Sequence, residues 1–434
     1  MGSVYRPLMQ IYFFLAIGFF LYRIFVFKDK QREVLIAAAY MMGAEVYFRM
    51  TKAMVFYESG KYLIILFLTI GIFYKGFKKK SFPYLLYLLL LVPGIFVAYY
   101  NLDYEAAFRQ MILFNLSGPI CLTVASVYCY NRRVQFKEML GLLDAIVYPL
   151  IAMTVYIYLY NPDIREVITS TASTSDTSGG YGPNQVATML GLGVFILFTR
   201  LLIPYKNKLV HFCMMFFLVA MAYRALITFS RGGVLVAVIM VAVFSVILYF
   251  STSLKTKFRI TYKLIAVVGV VFAIWLYALL QTGGLIGNRY SNEDALGREK
   301  EDVTTGRTEL LFADIDAFKE SPIVGIGVGR VKGYYIEKLN IELPSHNEVA
   351  RMLSEHGLFG LIALLILLFT PIVSKIYGRK NIFFYPLLLF WILTISHSAM
   401  RIAAPAFIYG LSLLSLQYGS KENPIHRKQL KQGA

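Results

Sequence analysis

Charged residues are scarce in this chain of 434 residues. Only 16% of them are Asp, Glu, Lys or Arg, whereas 58% are hydrophobic, and the mean hydropathy is +0.61. A soluble domain typically has about 25% charged residues, so this composition excludes an ordinary soluble fold. Apolar runs recur along the whole chain, each long enough to cross about 30 Å of hydrocarbon as a helix. The sequence therefore predicts an all-α polytopic membrane protein.

Cysteine is also rare, and the histidines lack the spacing of metal ligands. The three cysteines, Cys121, Cys129 and Cys213, all lie inside apolar runs, which argues against a disulfide framework and against a cysteine metal site. His211 and His356 have no second ligand at a distance typical of a zinc site. We therefore expect no bound metal and no cofactor.

The net charge of +18 comes from short connectors between the apolar runs. In a soluble protein such a charge would suggest nucleic acid, but basic connectors of this kind mark cytoplasmic loops, so we expect no nucleic-acid partner. The longest polar segment, 283–345, differs because it holds eleven acidic and eight basic residues. We expect this segment on the opposite, periplasmic side.

Twelve or thirteen transmembrane helices are expected, with the carboxyl tail inside. The first run lacks a small-residue cleavage site and is predicted to span rather than to be removed. The predicted organisation is an N-terminal helix bundle (1–281), a large periplasmic loop (282–346), C-terminal transmembrane helices (347–420) and a basic cytoplasmic tail (421–434). The thirteen candidate spans are 8–27, 33–49, 61–75, 83–100, 109–129, 139–160, 184–202, 208–228, 232–250, 261–281, 347–370, 382–400 and 402–418.

The large loop contains one predicted amphipathic helix. Leu311, Ile315 and Phe318 recur at helical spacing, which predicts a helix from about Gly306 to Lys319, ended by Ser321-Pro322. Such a helix would lie on the membrane or cover a cavity. The glycines that follow, at 325, 327 and 329, predict a tight bend rather than a dinucleotide site, because no strand precedes them.

His346 is the leading candidate for a catalytic side chain. Ser345 and Glu348 form a capping-box pattern before an apolar run, which predicts His346 at the first position of a membrane helix. The positive end of that helix disfavours imidazolium, so a neutral ring would be available to accept a proton or a hydrogen bond. The alternative is a solvated, merely interfacial histidine.

Several cations lie at predicted span ends on the outer side. Arg307, in the first turn of the amphipathic helix, is placed to hold a phosphate together with backbone N–H groups. Arg231 lies at a membrane boundary, where a charge is costly unless it pairs or snorkels; Arg224, one heptad earlier, would share its face. His397 and Arg401, four residues apart, would share another face. Exposure or snorkelling to lipid phosphate is the alternative for each.

Four charged residues near the second and third runs have two interpretations. They would line the entrance for an acceptor, or they would form ion pairs that hold the early helices together; the second interpretation is favoured. These residues are Glu45, Arg49, Glu58 and Lys61.

Four motifs then occur in a characteristic order between about Thr228 and Leu368. In order and spacing they resemble the signature of the O-antigen ligase and polymerase superfamily. One departure is Arg330-Val-Lys332, which adds two cations, as phosphate contacts or as surface charge. The motifs are Ser230-Arg231-Gly232-Gly233, Thr305-Gly306-Arg307, Ser321-Pro322-Ile323-Val324-Gly325-Ile326-Gly327, and His346-Asn347 with Glu355-His356-Gly357-Leu358-Phe359-Gly360.

The resemblance implies a membrane glycosyltransferase of the GT-C type. Proteins of this superfamily move a glycan from undecaprenyl diphosphate to an acceptor at the periplasmic face of the inner membrane, with inversion and without a metal. By this resemblance Arg231 and Arg307 would grip the donor diphosphate, and His346 would act as base or position the acceptor. Further site candidates are Arg224, Arg330, Asn347, His397 and Arg401.

The leading hypothesis is an O-antigen ligase whose acceptor is a lipid A-core sugar. A polymerase that extends the glycan on its carrier, and a protein-glycosylating transferase, share the same donor half of the site. A transporter of lipid-linked glycans would bind the diphosphate without chemistry, and a noncatalytic scaffold would need none of these residues. In every case membrane lipids surround the protein.

Overall fold

The computed structural model describes residues 2–101, 107–161, 163–300, 306–343, 345–376 and 381–418. Two predicted features lie outside the described residues: Thr305 of the second motif and the basic tail 421–434.

Helices form most of the described structure. Two single-turn 3-10 helices, Lys79–Ser81 and Asp176–Ser178, and one small parallel sheet complete it, in which β1 (Arg133–Gln135) pairs with β2 (Ser415–Gln417). The helices are α1 Gly2–Phe27, α2 Glu33–Met50, α3 Ser59–Lys75, α4 Phe82–Leu90, α5 Val92–Asn101, α6 Ala107–Cys129, α7 Phe136–Tyr160, α8 Pro183–Leu202, α9 Lys208–Ile227, α10 Arg231–Phe250, α11 Leu254–Gln281, α12 Leu285–Ser291, α13 Arg307–Glu320, α14 Val331–Leu339, α15 Glu348–Ile376, α16 Phe384–Ser398 and α17 Ala404–Ser412.

Every predicted apolar run contains a helix, which confirms an all-α polytopic membrane protein. Within the described ranges, nine helical stretches are long and apolar enough to cross a membrane. The other four predicted runs correspond to α2, α3, α16 and α17. Of these, α17 has nine residues and is about 14 Å long at 1.5 Å per residue, so it cannot cross a bilayer alone. The predicted run 402–418 is therefore helical over only nine of its seventeen residues.

Helix α2 lies at the centre of the bundle. Sixteen of its eighteen residues are buried, so it is surrounded by protein rather than lipid, and it packs against α3 and α7. This position explains how a helix that carries Glu45 and Arg49 is accommodated among apolar neighbours, because a buried charge needs protein partners. Helices α1 and α11, by contrast, are largely exposed along their apolar length.

The predicted glycine bend is present and docks into a kink of α15. Gly325, Gly327 and Gly329 all have positive φ (73°, 101° and 81°), a backbone region that favours glycine. Helix α15 is interrupted at Gly357 (φ 59°), and there the N–H of Leu358 donates to the carbonyl oxygen of Pro322 at 2.8 Å. The third motif and the end of the fourth therefore form one structural joint that holds the first turns of α15 in place.

The polar segment between α11 and α15 contains α12, α13 and α14. Helix α13 lies within one residue of the bounds predicted for the helix in this segment. Its buried face is different from the predicted stripe: Leu310, Ala313, Asp314 and Ala317 are buried, whereas Leu311 is 38% exposed. The helix packs against α15 and α14 rather than lying on the bilayer alone, and that contact selects the face.

Candidate functional site

Arg231 begins α10, and the two glycines that follow it let other elements approach closely. Its Nη1 donates to the Oδ1 of Asn292, just after α12, at 2.6 Å. A Cβ at Gly232 would lie 2.5 Å from the imidazole Cδ2 of His397, and one at Gly233 would lie 2.5 Å from the backbone of Ala187 in α8. The Arg-Gly-Gly motif therefore brings α8 and α16 close to the first turn of α10.

Arg307 begins α13 and is exposed to solvent. It follows Gly306, whose φ of 77° allows the chain to turn into the helix. The surrounding protein partly desolvates the guanidinium and lowers its pKa, and Arg231 lowers that pKa further. Arg307 in turn acts electrostatically on His346, His397 and Arg401. Arg307 therefore interacts electrostatically with four other cationic or titratable side chains: Arg231, His346, His397 and Arg401.

Arg289 in α12 joins the same group, and sequence reasoning missed it. Its Nε donates to the carbonyl oxygen of Phe229 at 3.0 Å, one residue before the Ser230-Arg231 motif. Burial lowers the pKa of Arg289, followed by the charges of Arg231 and Arg307. A signal was present, because Arg289 is the first cation after α11, at a membrane boundary like Arg231. We call Arg231, Arg289, Arg307 and Arg401 the cation cluster.

His346 lies beside this cluster, but its local setting differs from the prediction. The side-chain oxygen of Asn347 accepts hydrogen bonds from the N–H groups of Val349 (3.0 Å) and Ala350 (3.3 Å), so Asn347 caps α15. The predicted Ser345–Glu348 capping box is therefore wrong, because Glu348 instead pairs with Arg351 at 2.5 Å. His346 precedes the cap and does not occupy the first helical position.

The His346 imidazole is half-buried and neutral. Burial lowers its pKa to about 4, and the charges of Arg401, Arg307 and His397 contribute in that order. Its Nδ1 is buried without a hydrogen-bond partner among the residues that the structure describes. The neutral state was predicted, but burial and neighbouring cations are its main causes rather than the helix end alone.

His397 and Arg401 both reach the site, though not along one helix face. Helix α16 ends at Ser398, and Ala399 has a φ of 51°, so Arg401 lies in the link between α16 and α17. The predicted shared face is therefore absent. Arg401 Nη2 donates to the carbonyl oxygen of Ser345 at 3.1 Å, which joins this link to the His346 segment.

Two other predicted site residues lie apart from the cluster. Arg224 is buried, donates to the carbonyl oxygen of Asn161 at 2.9 Å and lies 4.0 Å from the ring centre of Tyr158. Arg330 forms a surface ion pair with Glu337 at 2.6 Å. Neither is among the charges that act on Arg307 or His346. Arg224 therefore has a structural setting, and Arg330 that of surface charge.

The early charged residues form buried ion pairs, in agreement with the favoured interpretation. Arg49 Nη2 lies 2.5 Å from Glu45 Oε1, and Lys61 Nζ lies 2.7 Å from Glu58 Oε2. Arg49 also donates to the carbonyl oxygen of Arg401 at 3.1 Å, and Glu45 accepts from the N–H of Ala403 at 2.7 Å. The Glu45–Arg49 pair thus fixes the backbone that carries Arg401.

A cavity of about 200 Å³ lies beside Arg307 of the cation cluster. Arg307, His346 and His397 line it, together with Ser345, Asn347 and Asp314 of the buried face of α13. Burial raises the pKa of Asp314 to about 6. Asp316, two residues on, is exposed and pairs with Lys319, so the two aspartates point in different directions. Across the described ranges, no three His, Cys, Asp or Glu side chains gather in a way that suits a metal ion.

Comparison with known proteins supplies a family for this region. Residues 216–365 match the family model described as O-Antigen ligase. The matched segment contains Arg231, Arg289, Arg307 and His346, as well as the joint between the glycine bend and α15. Comparison with curated proteins gives no match. The match supports a ligase or polymerase type of function in general, and residues 216–365 of this membrane protein form a region that matches the O-antigen ligase family.

Proposed function

We propose that this protein is an O-antigen ligase-like glycosyltransferase of the GT-C type. It transfers a glycan from undecaprenyl diphosphate to a lipid A-core acceptor. The observation that carries the proposal is the convergence of the cation cluster on His346 at the ends of apolar helices. A lipid diphosphate has its charge at headgroup level and its tail in hydrocarbon, so its enzyme needs cations beside apolar helices.

The proposed reaction is an inverting displacement at the anomeric carbon of the donor sugar. The acceptor hydroxyl oxygen forms the new C–O bond from the face opposite the diphosphate. The old bond from the anomeric carbon to the diphosphate oxygen breaks, and its electron pair leaves with undecaprenyl diphosphate. Arg231 and Arg307, with Arg289, stabilise the charge that develops on this leaving group, a role that many transferases give to a metal ion.

His346 receives or orients the proton of the acceptor hydroxyl. In the free protein its ring is neutral at pH 7, so a lone pair is available. The arriving diphosphate adds negative charge beside cations that lower the pKa of His346, and so makes the ring a stronger base once the donor is bound. Because the donor binds before His346 becomes a stronger base, the ring takes its proton from the acceptor hydroxyl in the ternary complex rather than from solvent beforehand.

The proposed topology places this chemistry at the periplasmic face of the bacterial inner membrane. Basic connectors between the helices favour the cytoplasmic side, whereas the acidic segment 282–346 carries α12, α13 and the histidine. In this arrangement 1–281 is the N-terminal bundle, 347–420 forms the C-terminal helices and 421–434 is a cytoplasmic tail. The acceptor then approaches from the periplasm, while the lipid carrier remains in the membrane.

A polymerase is the alternative within the same chemistry. Its acceptor is the growing glycan on a second carrier, and the cation cluster serves it equally well. A transporter would use the same cations for binding alone, but it has no need of a neutral histidine beside them.

In-vitro transfer tests the proposal. Purified protein is given a labelled undecaprenyl-diphosphate glycan and a lipid A-core acceptor with divalent metals chelated. We expect label on the acceptor, and its loss in His346→Ala but not in His211→Ala, a histidine whose charged neighbours are Lys263 and Arg200 instead. Longer carrier-linked chains would identify a polymerase. Absence of both products with wild-type protein would contradict the proposal.

A further inference from the structure

A second cavity, of about 270 Å³, shares Ser345 with the first cavity but is not lined by Arg307, His346 or His397. Its walls come from α6, the glycine bend, the first turns of α15 and the link that carries Arg401. Ser345 lines both cavities, and Arg401 lines this one while acting electrostatically on His346. His346 thus follows directly on the residue that the two cavities share.

The floor of the second cavity is a buried charged network. Arg351 lies 2.5 Å from carboxylate oxygens of both Glu348 and Glu355, and its Nη1 donates to Asn115 Oδ1 at 3.3 Å. All three charged side chains are at most 8% exposed. Each of the four carboxylate oxygens already accepts one hydrogen bond, and each keeps a second lone pair, so the floor offers acceptors to a hydroxyl group.

The opposite wall is apolar and belongs to α6. Met111 and Phe114 line this wall. Gln110, on the same helix, also lines the cavity, and its side chain is exposed. A hydrogen-bonding floor facing an apolar wall suits a sugar ring, which has hydroxyl groups at its edge and C–H groups on its faces. Small-ligand pockets range from about 300 to 1,000 Å³, so this cavity fits about one ring rather than an oligosaccharide.

We propose that this second cavity is the acceptor site and holds the terminal sugar of the acceptor glycan. The inference rests on the proposed transferase function and adds the side from which the acceptor hydroxyl arrives. The donor diphosphate lies on the side of Arg231, Arg289 and Arg307, the acceptor sugar lies between α6 and α15, and His346 lies at the junction, next to Arg401. The shared chemistry is a hydroxyl-rich sugar, whether on lipid A-core or on a second carrier.

Substitutions in the charged floor would change the fold as well as the proposed acceptor site. Glu355 Oε1 also accepts from the N–H of Gly329 at 2.8 Å, so its removal would disturb the joint between the bend and α15. The α6 wall is better suited, because a larger side chain there fills the cavity and breaks no ion pair. Met111→Trp fills it from the wall, and Gln110→Trp fills it from an exposed position that tolerates bulk.

Transfer kinetics at varied acceptor and donor concentrations give the readout. We expect Met111→Trp and Gln110→Trp to raise the acceptor KM by about tenfold or more while the donor KM changes by less than about twofold. Leu113→Trp, on the same helix but 56% exposed and outside the cavity lining, should leave both unchanged. Separate assays with lipid A-core and with carrier-linked glycan identify which acceptor is affected.

Three results would overturn the assignment. One is a native acceptor KM in both tryptophan variants while donor binding shows that they are folded. Another is an equal rise in donor KM, which would place the donor in this cavity. If one tryptophan variant loses donor binding altogether, the KM values of the other variant decide between these outcomes. The third is that wild-type protein transfers to neither acceptor; this would remove the proposed function itself, and is distinguishable because it precedes any comparison of variants.

Discussion

Two adjoining groups of charges in this protein have opposite character. In the group formed by Glu45, Arg49, Glu58 and Lys61, each cation has a carboxylate within 2.7 Å. In the cation cluster, the leading charge interactions of Arg289 and Arg307 are with other arginines. Paired buried charges stabilise a fold only as pairs, whereas like charges held together repel until an anion arrives. The difference separates a structural network from a binding site.

The largest expected effect comes from breaking the paired group. Glu45→Ala leaves Arg49 buried without its carboxylate, so we expect a loss of about 3–5 kcal/mol in the free energy of unfolding. Thermal unfolding in detergent measures it. The double variant Glu45→Leu/Arg49→Met should lose much less, since it removes both charges together. A single variant as stable as wild type would show that the pair is not structural.

Removal of a charge from the cation cluster should weaken donor binding without lowering the stability of the protein. Arg307→Gln relieves repulsion, so the stability of the donor-free protein should be unchanged or higher. Its affinity for the labelled donor should fall about tenfold to a hundredfold, the value of about 1.5–3 kcal/mol for a charged hydrogen bond. Equilibrium binding measures this.

Arg330→Gln is the matched control, because Arg330 is equally cationic but paired with Glu337 at the surface. Its donor affinity should remain that of wild type. Equal losses in both variants would mean that net charge, rather than the geometry of the cluster, attracts the donor.

The smallest expected effect is a shift in pH dependence. The pKa of His346 in the free protein is about 4, so protonation should reduce kcat/KM only as the pH falls towards 4, not at 6.5. Arg401 is the largest charged cause of that lowering, so Arg401→Gln should move the acid limb upwards, whereas Arg401→Lys should hold it in place. A limb near 6.5 in wild-type protein would contradict a desolvated histidine.

Much of the fold could be predicted from the sequence because it depends on local chemistry. Apolar runs located the helices, and Ser321-Pro322 ended α13 within about a residue of the expected position. The buried face of α13 could not be predicted, because contact with α15 selects it. The pairing of β1 with β2 joins residues about 280 positions apart and has no local signal.

The candidate site was predictable in part for the same reason. Arg231, Arg307 and His346 belong to the sequence motifs, and the structure brings them together. Arg289 has no motif and joins the group through a hydrogen bond to Phe229. Arg224 was expected to share a face with Arg231, but the break between α9 and α10 turns it towards Tyr158 instead.

The central claim is that the arginines bind the donor while His346 acts in transfer. Donor affinity and the single-turnover transfer rate of His346→Ala, measured on one preparation, test it most directly. The account predicts a donor affinity within about twofold of wild type and a transfer rate lower by about a hundredfold or more. A transfer rate near that of wild type, or a loss of donor affinity that accounts for the whole defect, would contradict it.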